Sequence, residues 1–138
     1  MKRSAVLVTV LPLVGVAYLL DAYARVPWTT ARVVGLVLLI PALGLVTVAR
    51  IQLGNSFSVT PQAEQLVTHG LYSRIRNPIY VFGIAVVAGL GLYLEQPALL
   101  VALVPVIILQ ITRARAEARV LEQRFGDAYR RYRAGTWF

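Results

Sequence analysis

No cysteine occurs in the 138 residues, which excludes disulfides, a thiolate nucleophile and any cysteine-built metal centre. Histidine occurs once, too few imidazoles to make a zinc site a credible expectation. Charge is scarce as well. Charged residues make up 14% of the chain, against about 25% in a soluble domain. Hydrophobic residues make up 58%, and the mean hydropathy is +0.68. This composition argues against a water-soluble globule and against a disordered chain. The length allows one compact domain at most.

What the chain does have is long uncharged runs. Residues 4–20, 33–49, 77–94 and 96–112 contain no Asp, Glu, Lys or Arg. As a helix each run rises about 26 Å, slightly less than a hydrocarbon core of about 30 Å. Flanking arginines that snorkel make up the difference. The pattern predicts an all-α, polytopic membrane protein forming a single membrane domain over 1–138. Its transmembrane helices are expected at 4–22, 31–50, 78–94 and 97–113. A cytoplasmic loop over 51–77 and a cytoplasmic C-terminal segment over 114–138 complete it. Only Glu95-Gln96 separates the last two helices before Pro97, so they are expected to form a tight hairpin. Lys2-Arg3 ahead of an apolar run, with Ala22-Tyr23-Ala24 after it, has the outline of a signal peptide. The run is longer than the usual apolar core of about 7–15 residues, so a retained helix is expected.

The net charge of +8 would suggest nucleic acid in a soluble protein. Position explains it better here. With the N-terminus inside, Lys2, Arg3, Arg50, Arg74, Arg76, Arg113, Arg115, Arg119, Arg124, Arg130, Arg131 and Arg133 are cytoplasmic, and only Arg25 and Arg32 lie outside. That asymmetry obeys the positive-inside rule and puts both termini in the cytoplasm. Membrane lipids are therefore expected partners and nucleic acid is not. A short, arginine-rich, lysine-poor chain without cysteine suggests a bacterial cytoplasmic membrane.

Within the spans, Pro12 and Pro41 are expected to kink their helices without serving function. Tyr23 and Trp28 suit the membrane interface. Gly83, Gly89 and Gly91 give the third helix a thin face, which serves close helix packing or a ligand equally well. The polar stretch 53–76 is rich in turn residues, and Leu66-Val67 beside His69-Gly70 suits a short strand or turn. The last helix is expected to continue into the cytoplasm, with Arg113, Glu117 and Leu121 on one face. Gly126 stops it, and a basic, aromatic turn over 127–133 follows.

Two polar clusters could carry chemistry. In Arg74-Ile-Arg-Asn-Pro-Ile-Tyr80 the long loop enters a helix, with Asn77 suited to the N-cap and Pro78 to the first helical position. A helix start with nearby arginine attracts anions such as carboxylates. The bland reading is a helix start with snorkelling arginines. In Arg113-Ala-Arg-Ala-Glu117 the bland reading is a surface ion pair. The hairpin, however, should bring Arg113 and Glu117 toward Arg76, Asn77 and Tyr80, making a ligand site at the membrane–cytosol boundary.

These clusters belong to a wider pattern. Leu53-Gly-Asn-Ser-Phe57, Leu66-Val-Thr-His-Gly-Leu-Tyr72 and Arg76-Asn-Pro-Ile-Tyr80-Val-Phe-Gly83 occur in that order. Glu117-Ala-Arg-Val-Leu121, then Phe125-Gly126, Tyr129 and Tyr132, follow. Together they resemble the isoprenylcysteine carboxyl methyltransferase and phospholipid methyltransferase superfamily over roughly residues 47–132. The resemblance implies an integral membrane methyltransferase that uses S-adenosylmethionine and acts on a lipophilic small molecule or lipid, with no metal. It implies that the cofactor set comprises Gly54, His69, Gly70, Tyr72, Asn77, Pro78, Tyr80, Arg113 and Glu117. Arg76 and Glu117 are implied as catalytic, Arg76 through its link to a carboxylate acceptor. The carboxylate of an isoprenoid-like or other small lipophilic molecule is the favoured acceptor, with a phospholipid amine as the other. The chain departs from the family pattern at Asn77, where histidine is commoner, and at Ala118, where a second acidic residue is usual. A small transporter is the weaker alternative, because none of the four uncharged runs contains Asp, Glu, Lys or Arg, and Asp21 and Glu95 lie at their ends. A non-catalytic four-helix scaffold is the other, and Ala118 is its main support.

Overall fold

The computed structural model describes residues 3–54 and 66–137. It contains α1 (Arg3–Tyr23), α2 (Thr30–Leu53), a 3-10 turn (Gly70–Ser73), α3 (Pro78–Tyr93), α4 (Pro97–Phe125) and α5 (Asp127–Ala134). There is no strand among the described residues, and residues 66–68 lead irregularly into the 3-10 turn. Much of the expected polar loop lies outside the described residues. The helices begin and end close to the expected boundaries, and the expected basic turn after Gly126 is helix α5.

Three helices, α1, α2 and α4, are long and apolar enough to cross a membrane. Helix α3 is apolar but has only 16 residues. The outer surface is hydrophobic: Leu11, Val37 and Val101 are each about two-thirds exposed. Water would penalise such a surface and hydrocarbon would not.

The tightest packing joins α2 to α3. Arg32, Gly35, Leu39, Ala42 and Ala49 are the buried residues of α2, spaced by threes, fours and a seven, so they form one stripe. Backbones touch along it. A Cβ on Gly89 would lie 2.8 Å from the Leu39 amide nitrogen and 2.9 Å from the Gly35 carbonyl oxygen. Gly91 faces the other way, where a Cβ would meet the Leu100 side chain of α4 at 2.9 Å. Gly83 is different, because its nearest neighbour would be the Gln110 amide nitrogen at 3.7 Å. Of the three glycines on the thin face, two serve helix packing and one leaves room.

Helix α1 is held by fewer contacts, and one of them explains Pro12. Proline has no N–H, so the Val8 carbonyl one turn earlier loses its helical donor. Arg50 of α2 supplies a replacement, its Nη2 donating to the Val8 oxygen at 3.3 Å. Pro12 thus creates the acceptor that fastens α1 to the end of α2, a role that the kink expectation missed.

The helix starts follow their sequence signals with one exception. Thr29 caps α2, its hydroxyl accepting from the Arg32 amide at 3.3 Å. Pro78 and Pro97 open α3 and α4. Asn77 occupies the N-cap of α3, but its side chain does not cap. Its ψ of 55° departs from the extended geometry that aims a capping side chain at the first amides. Its carbonyl instead accepts from the Tyr80 and Val81 amides, both at 3.1 Å.

At the end of the fold away from Gly126, a polar clasp ties α1, α2 and the α3–α4 turn. Arg32 is buried. Its guanidinium lies 5.5 Å from the ring centres of both Tyr23 and Tyr93. It donates to the Tyr23 carbonyl at 3.3 Å and to Glu95 at 3.5 Å. Glu95 has a φ of 52°, uncommon for a residue with a side chain. Thr29 donates to its other oxygen, so the carboxylate is held by two residues at the start of α2. The Tyr93 hydroxyl reaches back to the Leu20 carbonyl of α1 at 3.1 Å. Trp28 packs edge-on against Tyr93.

Candidate active site

Glu117 lies on α4, five residues beyond the uncharged run that ends at 112. Tyr80, in the first turn of α3, donates its phenolic hydrogen to Glu117 Oε1. Pro78, fully buried at the first helical position, fixes where that turn begins. Arg113 stands one turn before Glu117, and its charge favours the ionised carboxylate. Burial is the larger influence and pushes the Glu117 carboxyl above the ordinary range, with the Tyr80 bond and Arg113 opposing it.

Tyr72 enters from the 3-10 turn and is buried. Burial raises its phenol first, followed by the proximity of Tyr132 and Glu117, while Arg50 opposes. It therefore remains a neutral donor at physiological pH. The turn itself is gripped from two sides. Gly70 has a φ of 60°, and the Gln52 side chain fills the space that a Cβ would need. Gln52 Oε1 accepts from the Leu71 amide at 2.8 Å. From the other side, the Tyr132 hydroxyl donates to the Tyr72 carbonyl at 2.7 Å. Burial, then Tyr129, pushes the Tyr132 phenol up to about 12, so it too stays a donor. The Trp137 amide donates to the Arg74 carbonyl at 2.8 Å, and the Arg74 guanidinium lies 5.9 Å from the Trp137 ring centre.

The structure therefore groups Tyr72, Tyr80, Arg113 and Glu117. Arg76 stands on the α5 side, its Nη1 donating to the Arg133 carbonyl at 3.3 Å. Its charge opposes the upward shift of the Tyr129 and Tyr132 phenols. Gly54, with a φ of 54°, ends α2, and its N–H bonds the Arg50 carbonyl. His69 is exposed and precedes the 3-10 turn. Asn77 and Pro78 form the start of α3. Sequence reasoning gave no role to Gln52, read Arg50 only as a cytoplasmic charge, and read Tyr132 only as part of the resembling motif. Gln52 carries a signal, as an amide at the end of an apolar helix. Among the described residues there is no group of His, Cys, Asp or Glu that could hold a metal ion.

Residues 30–128 match the phospholipid methyltransferase family. The chain belongs to that family. No curated protein and no solved structure shows a significant match to it. Membership brings membrane methyl transfer to lipid substrates, within the superfamily that the motifs resemble. The matched region runs from α2 into the beginning of α5 and so contains Tyr72, Tyr80, Arg113 and Glu117. Helix α1 and Tyr132 lie outside it.

Proposed function

We propose that the protein transfers a methyl group from S-adenosylmethionine to a lipophilic acceptor at the cytoplasmic face of a bacterial membrane. In this reading it is a single membrane domain that crosses four times, with both termini inside. The charge asymmetry supports the orientation. The three residues between α3 and α4 support the fourth crossing, since they leave α3 no route except back alongside α4.

The observation that carries the proposal is the half-buried carboxylate of Glu117, bonded by Tyr80 and flanked by Arg113. This donor set suits the cofactor. A carboxylate can bind its ammonium group or ribose hydroxyls, and a guanidinium can bind its carboxylate. Glu117, Tyr80, Tyr72 and Arg113 would hold it. Gly54, His69, Gly70, Asn77 and Pro78 would shape the surrounding backbone. When bound, S-adenosylmethionine supplies a methyl carbon made electrophilic by its sulfonium sulfur.

The chain's own task is alignment, which can lower a barrier by about 7–11 kcal/mol. Tyr80 fixes the direction of the Glu117 carboxylate. For a carboxylate acceptor, Arg76 would hold the acid in a bidentate pair. For an amine acceptor, a proton must be removed, and Glu117 is the candidate base if it is not engaged by the cofactor. Its raised proton affinity makes it a better base than an exposed glutamate. The family match supports the phospholipid amine over the carboxylate that the motifs favour.

Calorimetry with S-adenosylmethionine on the purified protein in lipid nanodiscs tests the reading. Wild type should bind saturably. Glu117→Ala should weaken binding about tenfold or more, the equivalent of about 1.4 kcal/mol. Arg76→Ala should reduce labelled-methyl transfer. Absence of binding to a folded, monodisperse sample would favour the non-catalytic scaffold that Ala118 suggests.

A further inference from the structure

We propose that Arg74, Arg133 and Trp137 form a docking surface for the anionic headgroups of the bilayer, built where the C-terminal segment folds back against the start of α3. This surface goes beyond the methyltransferase reading. It needs no methyl transfer to work, and Arg133 and Trp137 lie outside the family-matched residues.

Sequence position alone would put Arg133 and Trp137 well away from the lipid. Helix α4 runs on from Glu117, which Tyr80 of α3 bonds, to Phe125, a rise of about 12 Å. Gly126, with a φ of 51°, then turns the chain. Helix α5 comes back, and three hydrogen bonds tie it and the residues after it to the segment that enters α3. The Tyr132 hydroxyl donates to the Tyr72 carbonyl at 2.7 Å, Arg76 Nη1 to the Arg133 carbonyl at 3.3 Å, and the Trp137 amide to the Arg74 carbonyl at 2.8 Å. Arg74 and Arg76 immediately precede the uncharged run 77–94. The return therefore sets Arg133 and Trp137 beside the point where the apolar part of α3 begins, which is headgroup level for a helix that crosses the bilayer.

The chemistry of the surface suits that level. Arg74 and Arg133 are exposed, and neither has a carboxylate partner among the described residues. Asp127 and Glu122, the acidic residues nearest to Arg133 in the sequence, are both bonded by Arg130. Trp137 is 69% exposed, and the Arg74 guanidinium lies 5.9 Å from its ring centre. An indole so exposed is poorly placed in water, whereas the membrane interface accepts both its apolar ring and its N–H. Guanidiniums pair with phosphate oxygens, and an anionic leaflet attracts arginines held near it. A soluble acidic partner would meet the charge but would leave the tryptophan at the membrane boundary without a role.

The test uses the full-length protein in two nanodiscs, one of phosphatidylcholine and one of equal parts phosphatidylcholine and phosphatidylglycerol. Acrylamide quenching of Trp137 is read as the difference between wild type and Trp137→Phe, which retains Trp28. Quenching should be lower in the anionic discs, and the protection should vanish at about 1 M salt, where the screening length shrinks to about 3 Å. Each arginine should strengthen docking about fivefold, so Arg74→Gln with Arg133→Gln should weaken it about thirtyfold and abolish the protection. If that double variant misfolds, the wild-type comparison across lipid and salt decides by itself. Equal quenching in the two discs overturns the surface. So does protection that survives high salt or the double variant. Equal protection on adding inorganic phosphate to the phosphatidylcholine discs also overturns it, because the ligand is then a free anion and not the bilayer.

Discussion

Burial and pairing act in opposite directions on Glu117, and burial prevails. Its carboxyl therefore holds a proton over a range of pH in which the unfolded chain has already released it. Stability of the ligand-free protein is then greatest below that window and falls as pH rises through it. Thermal unfolding in detergent, from about pH 4 to about pH 7, should show this loss. Glu117→Gln has no proton to release and should flatten the profile. Tyr80→Phe removes a hydrogen bond to the ionised form, so the proton is held longer and the falling limb should extend to higher pH. A Glu117→Gln profile that keeps the wild-type slope would assign the effect to another group. The types of these residues were legible in the sequence, because the hairpin expectation brought Tyr80 and Glu117 into the same cluster. The placement of Arg76 was not. It depends on α5 folding back to offer the Arg133 carbonyl, a contact between residues 57 apart in the chain.

At the scale of elements, the seam of α2 and α3 relies on the absence of side chains. Gly89→Ala places a methyl 2.8 Å from the Leu39 backbone nitrogen, where no rotamer change can relieve it. Overpacking of this kind costs about 1–3 kcal/mol. Gly83→Ala meets only the end of a flexible glutamine at 3.7 Å. Gly89→Ala should therefore lower the unfolding temperature and the monodisperse yield, while Gly83→Ala should leave both near wild type. The reverse order would mean that α3 packs through a different face. Sequence could find these glycines but not assign them. Helix α3 has no charged residue to mark an outer face, so its hydrophobic pattern carries no phase. The boundaries of α2 and α4 were easier, because Thr29, Pro97 and Gly126 are local signals whose physics needs no partner.

Over the whole molecule, the candidate site and the Arg32 clasp occupy opposite ends of the α2–α3 seam, and both bind the same helices together. Arg32 was legible only as one of two arginines on the outer side. Its burial follows from a surface built by Tyr23, Tyr93 and the α3–α4 turn, which no local pattern encodes. The two ends of the ion pair are unequal, with the Arg32 side chain 4% exposed and that of Glu95 41% exposed. Removing the carboxylate charge leaves a buried cation with less compensation. Removing the guanidinium leaves an anion that water can reach. Glu95→Gln should therefore destabilise the protein by about 1–3 kcal/mol, the cost of stranding a buried polar group. Arg32→Met keeps most of the side-chain volume while deleting the buried charge, and replacements of that kind are often neutral. Thermal unfolding of the two variants and of the double variant distinguishes these costs. Glu95→Gln should be the more damaging single change, and adding Arg32→Met to it should recover part of the loss. If Arg32→Met proves worse than Glu95→Gln, then stacking of the guanidinium between Tyr23 and Tyr93, and not its charge pairing, holds this end of the fold.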